Sequence, residues 1–143
     1  MQVAHILKAK GTAVHSVPPE TTIGDVVHSL SRKRVGAVLV LANDGRIAGI
    51  ISERDIVHGL AARGGAFLAA EVAAAMTRRV VTCSPQDNVA DLMALVTNRR
   101  FRHLPVVEDG RLCGIVSIGD LVKSRLDEIE HEARSLRSFI SGP

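Results

Sequence analysis

The sequence predicts a mixed α/β (α+β) fold in which two β-α-β-β-α repeats pack as one pseudo-two-fold module with a long C-terminal helix. The duplication is visible in two places. Gly-Ile-Ile-Ser-Glu-Arg-Asp at 49–55 recurs as Gly-Ile-Val-Ser-Ile-Gly-Asp at 114–120, and Thr-Ile-Gly-Asp-Val-Val at 22–27 recurs as Asn-Val-Ala-Asp-Leu-Met at 88–93. Tandem copies of this kind are typical of half-units that complete each other's core. A hydrophobic fraction of 46% over 143 residues is enough to build that core.

The first repeat is assigned to residues 1–65 and includes an N-terminal helix. Thr22 can cap the next helix with Asp25 as its capping-box partner, and apolar side chains follow at the helical spacing i, i+3, i+4, i+7 from Ile23. Asp44-Gly45 predicts a hairpin turn. In order, the predicted elements are a helix ending at Gly11, a strand at 14–17, a helix from Thr22, strands at 37–41 and 47–51, and a helix from Ser52 to about 62.

The second repeat is assigned to residues 66–143 and is predicted to follow the same order. It opens with an Ala-rich stretch that predicts a linker helix between the copies. Its hairpin turn is Asp109-Gly110. The predicted elements are the linker helix at roughly 66–76, a short strand at 80–83, a helix with its apolar stripe at 89–96, strands at 104–107 and 112–116, and a helix after Ser117.

The last helix is predicted to continue well beyond its counterpart in the first copy. Its apolar residues recur in alternating steps of four and three, with charged residues between them. Such an apolar seam requires another helix to pack against, either in its own subunit or in a second copy, and we favour a homodimer. The seam comprises Val122, Leu126, Ile129, Ala133, Leu136 and Ile140.

Paired β-α-β-β-α units, each ending in Gly-apolar-apolar-Ser-x-x-Asp, resemble the cystathionine β-synthase (CBS) domain pair, or Bateman module. The resemblance covers about 3–126, and Phe-Arg-His-Leu-Pro-Val-Val at 101–107 together with the long last helix resembles small stand-alone bacterial CBS-pair proteins. It implies an adenine nucleotide, AMP above all or else ADP, ATP, NAD(H) or S-adenosylmethionine, bound in a cleft between the copies. It also implies a regulatory role, a flat disc-like homodimer and an unknown downstream protein.

By this resemblance the Asp that ends each motif holds the ribose hydroxyls, and the Ser lies near ribose or phosphate. The chemistry is suitable, because a carboxylate only accepts hydrogen bonds and a helix N-terminus favours an anion. The alternative is that Ser52 with Asp55, and Ser117 with Asp120, form variant helix capping boxes. Capping and ligand contact can also coexist.

The two copies differ where a nucleotide would bind. Arg102 and His103 can contact phosphate, the first through its planar fork and the second as a titratable donor, whereas Gly36 and Ala37 leave room for a base. We therefore expect a stronger site at the second copy and a weaker or different one at the first. The candidate nucleotide contacts are Ser16, Val17, Gly36, Ala37, Ser52, Arg54, Asp55, Thr82, Cys83, Arg100, Arg102, His103, Leu104, Ser117 and Asp120.

Composition limits the other functions. A net charge of +3 and an aromatic fraction of 2% do not favour a nucleic-acid surface. The chain shows no apolar run long enough for a membrane span, no signal peptide and no i, i+4 histidine pair, so we expect a cytoplasmic location and no metal. No phosphate-binding loop or activated nucleophile marks an enzyme, although Cys83 with His103 is conceivable. A ligand-free scaffold and a weak nucleic-acid binder remain the alternatives.

Overall fold

A computed structural model describes residues 1–99 and 101–141 and confirms the mixed α/β class. Over those residues it contains five α-helices, two 3₁₀ segments and two small sheets. The helices are α1 (Val3–Lys10), α2 (Ile23–Lys33), α3 (Glu53–Arg63), α4 (Val89–Arg99) and α5 (Ile118–Ser141); the strands are β1 (Ser16–Val17), β2 (Ala37–Leu41), β3 (Ile47–Ser52), β4 (His103–Glu108) and β5 (Arg111–Ser117); the 3₁₀ segments are Gly64–Ala69 and Val72–Ala74.

The chain forms two compact units, which we name the middle unit (Val14–Val80) and the terminal unit (Met1–Ala13 and the chain from Val81 onward). These bounds differ from the sequence repeats 1–65 and 66–143. The opening segment of each repeat is hydrogen-bonded into the unit of the other repeat.

Backbone hydrogen bonds explain this exchange of segments. In the terminal unit the Val3 amide donates to the Asp87 carbonyl at 3.0 Å. In the middle unit the Val72 amide donates to the Thr21 carbonyl at 2.7 Å. Each bond fixes the chain just before the first long helix of a repeat, α4 in the terminal unit and α2 in the middle unit. The segment around Val3 makes this contact in one unit, and the segment around Val72 makes it in the other.

The middle unit contains a three-stranded sheet in the order β1-β2-β3, with β1 parallel and β3 antiparallel to β2. The helix α2 begins where predicted, because the Thr22 hydroxyl accepts a hydrogen bond from the Asp25 amide at 3.2 Å. It ends at Arg34, which adopts the left-handed conformation with φ 52°. Ile23, Val26 and Leu30 are its buried face, as the spacing predicts.

The linker helix predicted at 66–76 is wrong: the chain there forms the two short 3₁₀ segments. Tertiary hydrogen bonds decide the outcome. The Ala70 carbonyl accepts from the Ile23 amide at 2.9 Å, and Thr77 pairs with Ile50 through bonds of 2.8 and 3.0 Å. A continuous helix would use those backbone groups internally, so the high helix propensity of alanine is overridden.

In the terminal unit β4 and β5 form an antiparallel pair, and α1 packs on β5. The strand predicted at 80–83 is reduced to a single parallel bridge between Cys83 and Val106. The chain turns directly afterwards, since the Ser84 amide donates to the Asp87 carboxylate at 2.7 Å. The following Pro85 has no amide hydrogen with which to continue a strand.

The glycine that opens each repeated motif permits close packing of the exchanged segments. A Cβ at Gly114 would lie 2.7 Å from the Leu7 side chain of α1. A Cβ at Gly49 would lie 2.6 Å from the Met76 sulfur and 2.8 Å from the Thr77 carbonyl oxygen. The repeated glycines therefore serve packing at equivalent positions.

Candidate functional site

Each repeated Ser-x-x-Asp motif lies where the second strand of a hairpin enters a helix. In the middle unit the Ser52 hydroxyl accepts from the Asp55 amide at 3.4 Å, and the Asp55 Oδ2 accepts from the Ser52 amide at 3.0 Å. In the terminal unit the corresponding bonds of Ser117 and Asp120 are 3.1 and 2.8 Å. Both motifs therefore form the reciprocal capping arrangement that the sequence offered as an alternative to ligand binding.

The junction of the middle unit gathers most of the candidates from the first copy. Ala37 lies opposite Ser52 in the β2–β3 register. The Glu53 amide, first in α3, donates to the Gly36 carbonyl at 3.0 Å. The exposed Arg54 follows in the first turn of the helix. Residues 36–37 and 52–55 thus form one cluster.

The terminal unit repeats this geometry with different side chains. His103 lies opposite Ser117 in the β4–β5 register. The Ile118 amide donates to the Arg102 carbonyl at 2.8 Å, as the Glu53 amide does to Gly36. Arg102 is exposed and His103 is half-buried. The structure thus places His103 opposite Ser117 and fixes the Arg102 backbone beside the first residue of α5.

Some candidates occupy positions that limit ligand contact. The Cys83 and Leu104 side chains belong to the core of the terminal unit, with exposed fractions of 6% and 1%. Ala37 is buried and Val17 packs against the other core. By contrast, the polar side chains of Ser16 and Thr82 are on exposed residues. The candidate Arg100 lies outside the described residues.

Lys10 contacts the repeated motif directly, although it was not among the residues predicted from the sequence. This lysine is the last residue of α1, and Gly11 ends the helix with φ 97°. Its ammonium group lies 2.7 Å from the Asp120 Oδ2 and donates to the Ile115 carbonyl at 3.1 Å. A single lysine at a helix end carries no motif, and only the exchange of segments brings it to Asp120.

The surroundings of Asp120 change its acidity. Burial alone would raise the pKa of this carboxyl group, but the hydrogen bonds from Lys10 and Ser117 and the lysine charge outweigh it, so the pKa is lowered from its ordinary value of 3.8. The ionised form is therefore favoured in the folded state. Its stabilising contribution is present above about pH 3.8 and is lost as the pH falls through the lowered pKa.

The two junctions differ in charge. Across the described residues, Asp55 forms no ion pair, whereas Asp120 is paired with Lys10. The difference follows from the exchanged segments, because α1 is a helix that extends to Lys10, while its counterpart is a 3₁₀ turn followed by the Thr77–Ile50 bridge. The repeats are therefore unequal at the motif itself, beyond the residues that differ in the sequence.

A cavity of about 330 Å³ lies between α1 and α5 and has the Lys10–Asp120 pair in its wall. Apolar groups line part of it and charged groups the rest. Its lining residues are Met1, His5, Ile6, Ala9, Lys10, Asp120, Lys123, Ser124 and Asp127. The terminal unit therefore offers a concave surface beside its motif.

Cys83 is unsuited to nucleophilic catalysis. Burial, with a smaller contribution from the negative charge of Asp87, raises the pKa of its thiol to about 12. The thiol is then protonated at neutral pH, and the thiolate is the reactive form.

We expect only one of the two thiols to react quickly in the folded protein. At pH 8 a chromogenic disulfide reagent should label the half-buried Cys113 well before the buried Cys83, and both should react in denaturant. Cys113→Ser removes the fast phase and is the matched control. Fast labelling of Cys83 in that variant would contradict the assignment.

Together, the duplicated hairpins, the two capped Ser-x-x-Asp junctions and the long last helix define a tandem CBS fold. The family model of the CBS domain matches the chain twice, over residues 10–62 and 69–127. The chain therefore belongs to the CBS-domain family, as the resemblance predicted.

Relatives and solved structures agree with this assignment. The chain is 31% identical to the CBS domain-containing protein CBSX3, mitochondrial, of Arabidopsis thaliana over 148 residues, 98% of this chain and 72% of that protein. The CBS-domain containing protein ATU1752 from Agrobacterium tumefaciens has a TM-score of 0.85 and 44% identity, covering 87% of this chain and 92% of that one. The CBS domain protein PAE2072 from Pyrobaculum aerophilum, complexed with AMP, has a TM-score of 0.74 and 28% identity over 84% of this chain and 89% of that one.

Over residues 1–99 and 101–141, none of the helices combines the length and the apolar character that crossing a membrane requires.

Proposed function

We propose that the protein is a non-catalytic regulatory module that binds an adenine nucleotide, AMP in the first place, and acts as a homodimer on an unidentified downstream protein. The nucleotide would bind at the strand-to-helix junctions. The stronger site would use Ser117, Asp120, Arg102 and His103, and the weaker one Ser52, Asp55 and Arg54. Support comes from the membership of the CBS family and from the AMP complex of PAE2072.

The observation that carries the proposal is the orientation of the carboxylate at each junction. The hydrogen bonds that the Asp120 carboxylate accepts from Ser117 and Lys10 go to its Oδ2, and those that the Asp55 carboxylate accepts from Ser52 go to its Oδ2. Capping therefore leaves Oδ1 of each carboxylate to accept a ribose hydroxyl. Capping also holds the carboxylate in one rotamer, so less side-chain entropy is lost on binding.

The phosphate is proposed to bind beside the start of β4, where His103 lies opposite Ser117. In the terminal unit the N-terminus of α5 offers the Gly119 amide and the positive end of a helix dipole, because the Ile118 and Asp120 amides already donate to Arg102 and Ser117. Arg102 adds a guanidinium that suits phosphate, and its carbonyl is already fixed by Ile118. The exposed Ser16, in β1 of the middle unit, and the exposed Thr82, just before the Cys83 bridge of the terminal unit, would contact the base at their respective sites.

Thermal unfolding with a panel of ligands tests the proposal. AMP at 100 times its Kd should stabilise the protein by about 2.7 kcal/mol. ADP, ATP, NADH and S-adenosylmethionine complete the adenine series, and guanosine monophosphate is the control for the base. Calorimetric titration of AMP should then show two unequal sites.

The absence of a shift with every adenine ligand would instead favour a ligand-free scaffold that acts through its exposed surfaces. Two equal affinities for AMP would contradict the proposed inequality of the sites while leaving nucleotide binding intact.

A further inference from the structure

The two sides of α5 differ sharply in burial. Leu121 and Ser124 are buried on the terminal unit, with exposed fractions of 0% and 7%. On the opposite side of the helix Leu126 and Leu136 are each 61% exposed, and Ile140 is 73% exposed. The apolar seam predicted from the sequence therefore does not fold back onto its own chain.

The seam follows the heptad pattern of a two-stranded coiled coil. Leu126, Ala133 and Ile140 occupy a positions, and Val122, Ile129 and Leu136 occupy d positions. The seam spans about 27 Å at 1.5 Å per residue. The residues that face the terminal unit, Leu121 and Ser124, fall at c and f, so a helix on the a/d side would meet no part of that unit's packed face.

The charges beside the seam favour one orientation for a helix pair that covers the whole seam. Arg125 and Glu132 occupy g positions, and Glu130 and Arg137 occupy e positions. When two copies lie parallel and in register, each g residue faces the e residue of the next heptad in the other copy. Arg125 then faces Glu130 of the second copy, and Glu132 faces Arg137 of the second copy. Every such pair is attractive.

An antiparallel pair that covers the whole seam would place like charges together. In that arrangement g residues face g residues and e residues face e residues. With Leu126 opposite Leu136 of the second copy, Glu132 meets Glu132, Glu130 meets Glu130, and Lys123 meets Arg137. All these pairs are repulsive. Sliding the antiparallel copy by one heptad would pair Arg125 with Glu132 and Lys123 with Glu130, but it would leave the exposed Leu136 and Ile140 without a partner in the seam.

The contacts within a single helix do not compete strongly with the parallel arrangement. Glu130 accepts from Arg134 at 2.6 Å on an exposed surface, and such pairs contribute little. Arg125 lies 2.8 Å from Glu128. Neither Glu132 nor Arg137 has an ion-pair partner among the described residues, so a second copy would supply one to each.

We propose that two copies of this chain associate through α5 as a parallel, in-register coiled coil. This inference rests on the homodimer of the proposed function and is independent of nucleotide binding. The seam begins at Val122, two positions beyond Asp120 on the same helix. Parallel pairing therefore places the Asp120 motifs of both copies at the same end of the coiled coil. A nucleotide bound at one motif would then act directly on the helix pair.

Disulfide formation tests the orientation. In a Cys113→Ser background, which keeps the buried Cys83, Ala133→Cys should give a covalent dimer on mild oxidation because equivalent a positions adjoin only in a parallel pair. Ser138→Cys at an outer f position is the matched control and should remain monomeric on a denaturing gel. An antiparallel pair would leave Ala133→Cys uncrosslinked and would overturn the proposal.

Charge exchange tests the pairing by sedimentation. Glu132→Arg should raise the dimer Kd roughly tenfold or more, and the double variant Glu132→Arg with Arg137→Glu should restore it. Asp127→Arg at an outer b position makes the same change in charge and should leave the Kd unaltered. A dimer Kd that is the same in all three variants would show that the copies associate through another interface. That result would refute the coiled coil but not the homodimer. A monomer at every concentration would overturn the homodimer as well, while AMP titration of the same samples reports on nucleotide binding.

Discussion

Asp120→Ala is expected to lower the affinity of the stronger site for AMP by on the order of 100-fold. Removing the carboxylate removes the acceptor for the ribose, and a hydrogen bond to a charged group contributes about 1.5–3 kcal/mol. Calorimetric titration should then show only the weaker site. The fold should persist, since the cap that Asp120 gives to Ser117 is worth about 1 kcal/mol.

Asp55→Ala is the matched control for this experiment. It removes the equivalent cap in the middle unit, where the Ser52 amide donates to the carboxylate at 3.0 Å. It should abolish the weaker site and leave the stronger one unchanged. Unaltered AMP affinity in Asp120→Ala, with the variant folded, would refute the role given to Asp120.

Lys10→Met separates the charge of the site from its geometry. Without the ammonium group at 2.7 Å, the pKa of Asp120 should rise, which a carboxyl titration by NMR can measure. The carboxylate charge would then stand uncompensated near the phosphate of the nucleotide. We expect AMP binding to weaken by several-fold and adenosine binding to change less, because adenosine has no phosphate.

Phe67→Ala is expected to destabilise the middle unit by about 3–5 kcal/mol. The ring is 1% exposed, belongs to the core of that unit, and packs so closely that a Cβ at Gly59 would lie 2.3 Å from two of its atoms. The Arg63 guanidinium lies over the same ring at 5.5 Å from its centroid. Since whole proteins are stable by only about 5–15 kcal/mol, the melting temperature should fall by roughly 10 °C or more.

Leu68→Ala provides the comparison, because its side chain is the next in the chain but is 40% exposed. It should cost about 1 kcal/mol or less. Similar losses for the two variants, measured by thermal or denaturant unfolding, would show that the 3₁₀ segment is not part of the core.

The elements with strong periodicity were predicted closely. The hairpin strand at 37–41 agrees with β2 at both ends, and the helix predicted from Thr22 begins with the expected cap. Alternating and helical patterns of apolar residues indicate which side chains are buried, and they can be read from residues a few positions apart. The predicted helix at 66–76 was wrong, because the distant residues Ile23 and Ile50 form hydrogen bonds with the backbone of Ala70 and Thr77.

The candidate site likewise combines residues that local patterns predicted with a residue that they could not predict. The sequence named Ser117, Asp120 and His103 as candidates, and the structure brings them to one strand-to-helix junction, since the repeat marks the motif and the hairpin register follows from its turn. It also named Cys83 and Leu104, whose side chains lie in the core, because strand membership alone does not settle which face a residue occupies. Lys10 was missed, since it lies 110 positions from Asp120 in the chain.

The sequence by itself determined the duplication, the two capped junctions and the heptad seam, because each of these depends on residues a few positions apart. Only the tertiary structure decided which segment completes each unit, which cation meets Asp120, and that the seam of α5 remains exposed. Those features depend on contacts between residues far apart in the chain. A local pattern carries no record of such contacts, because they form only when the chain packs into its two units.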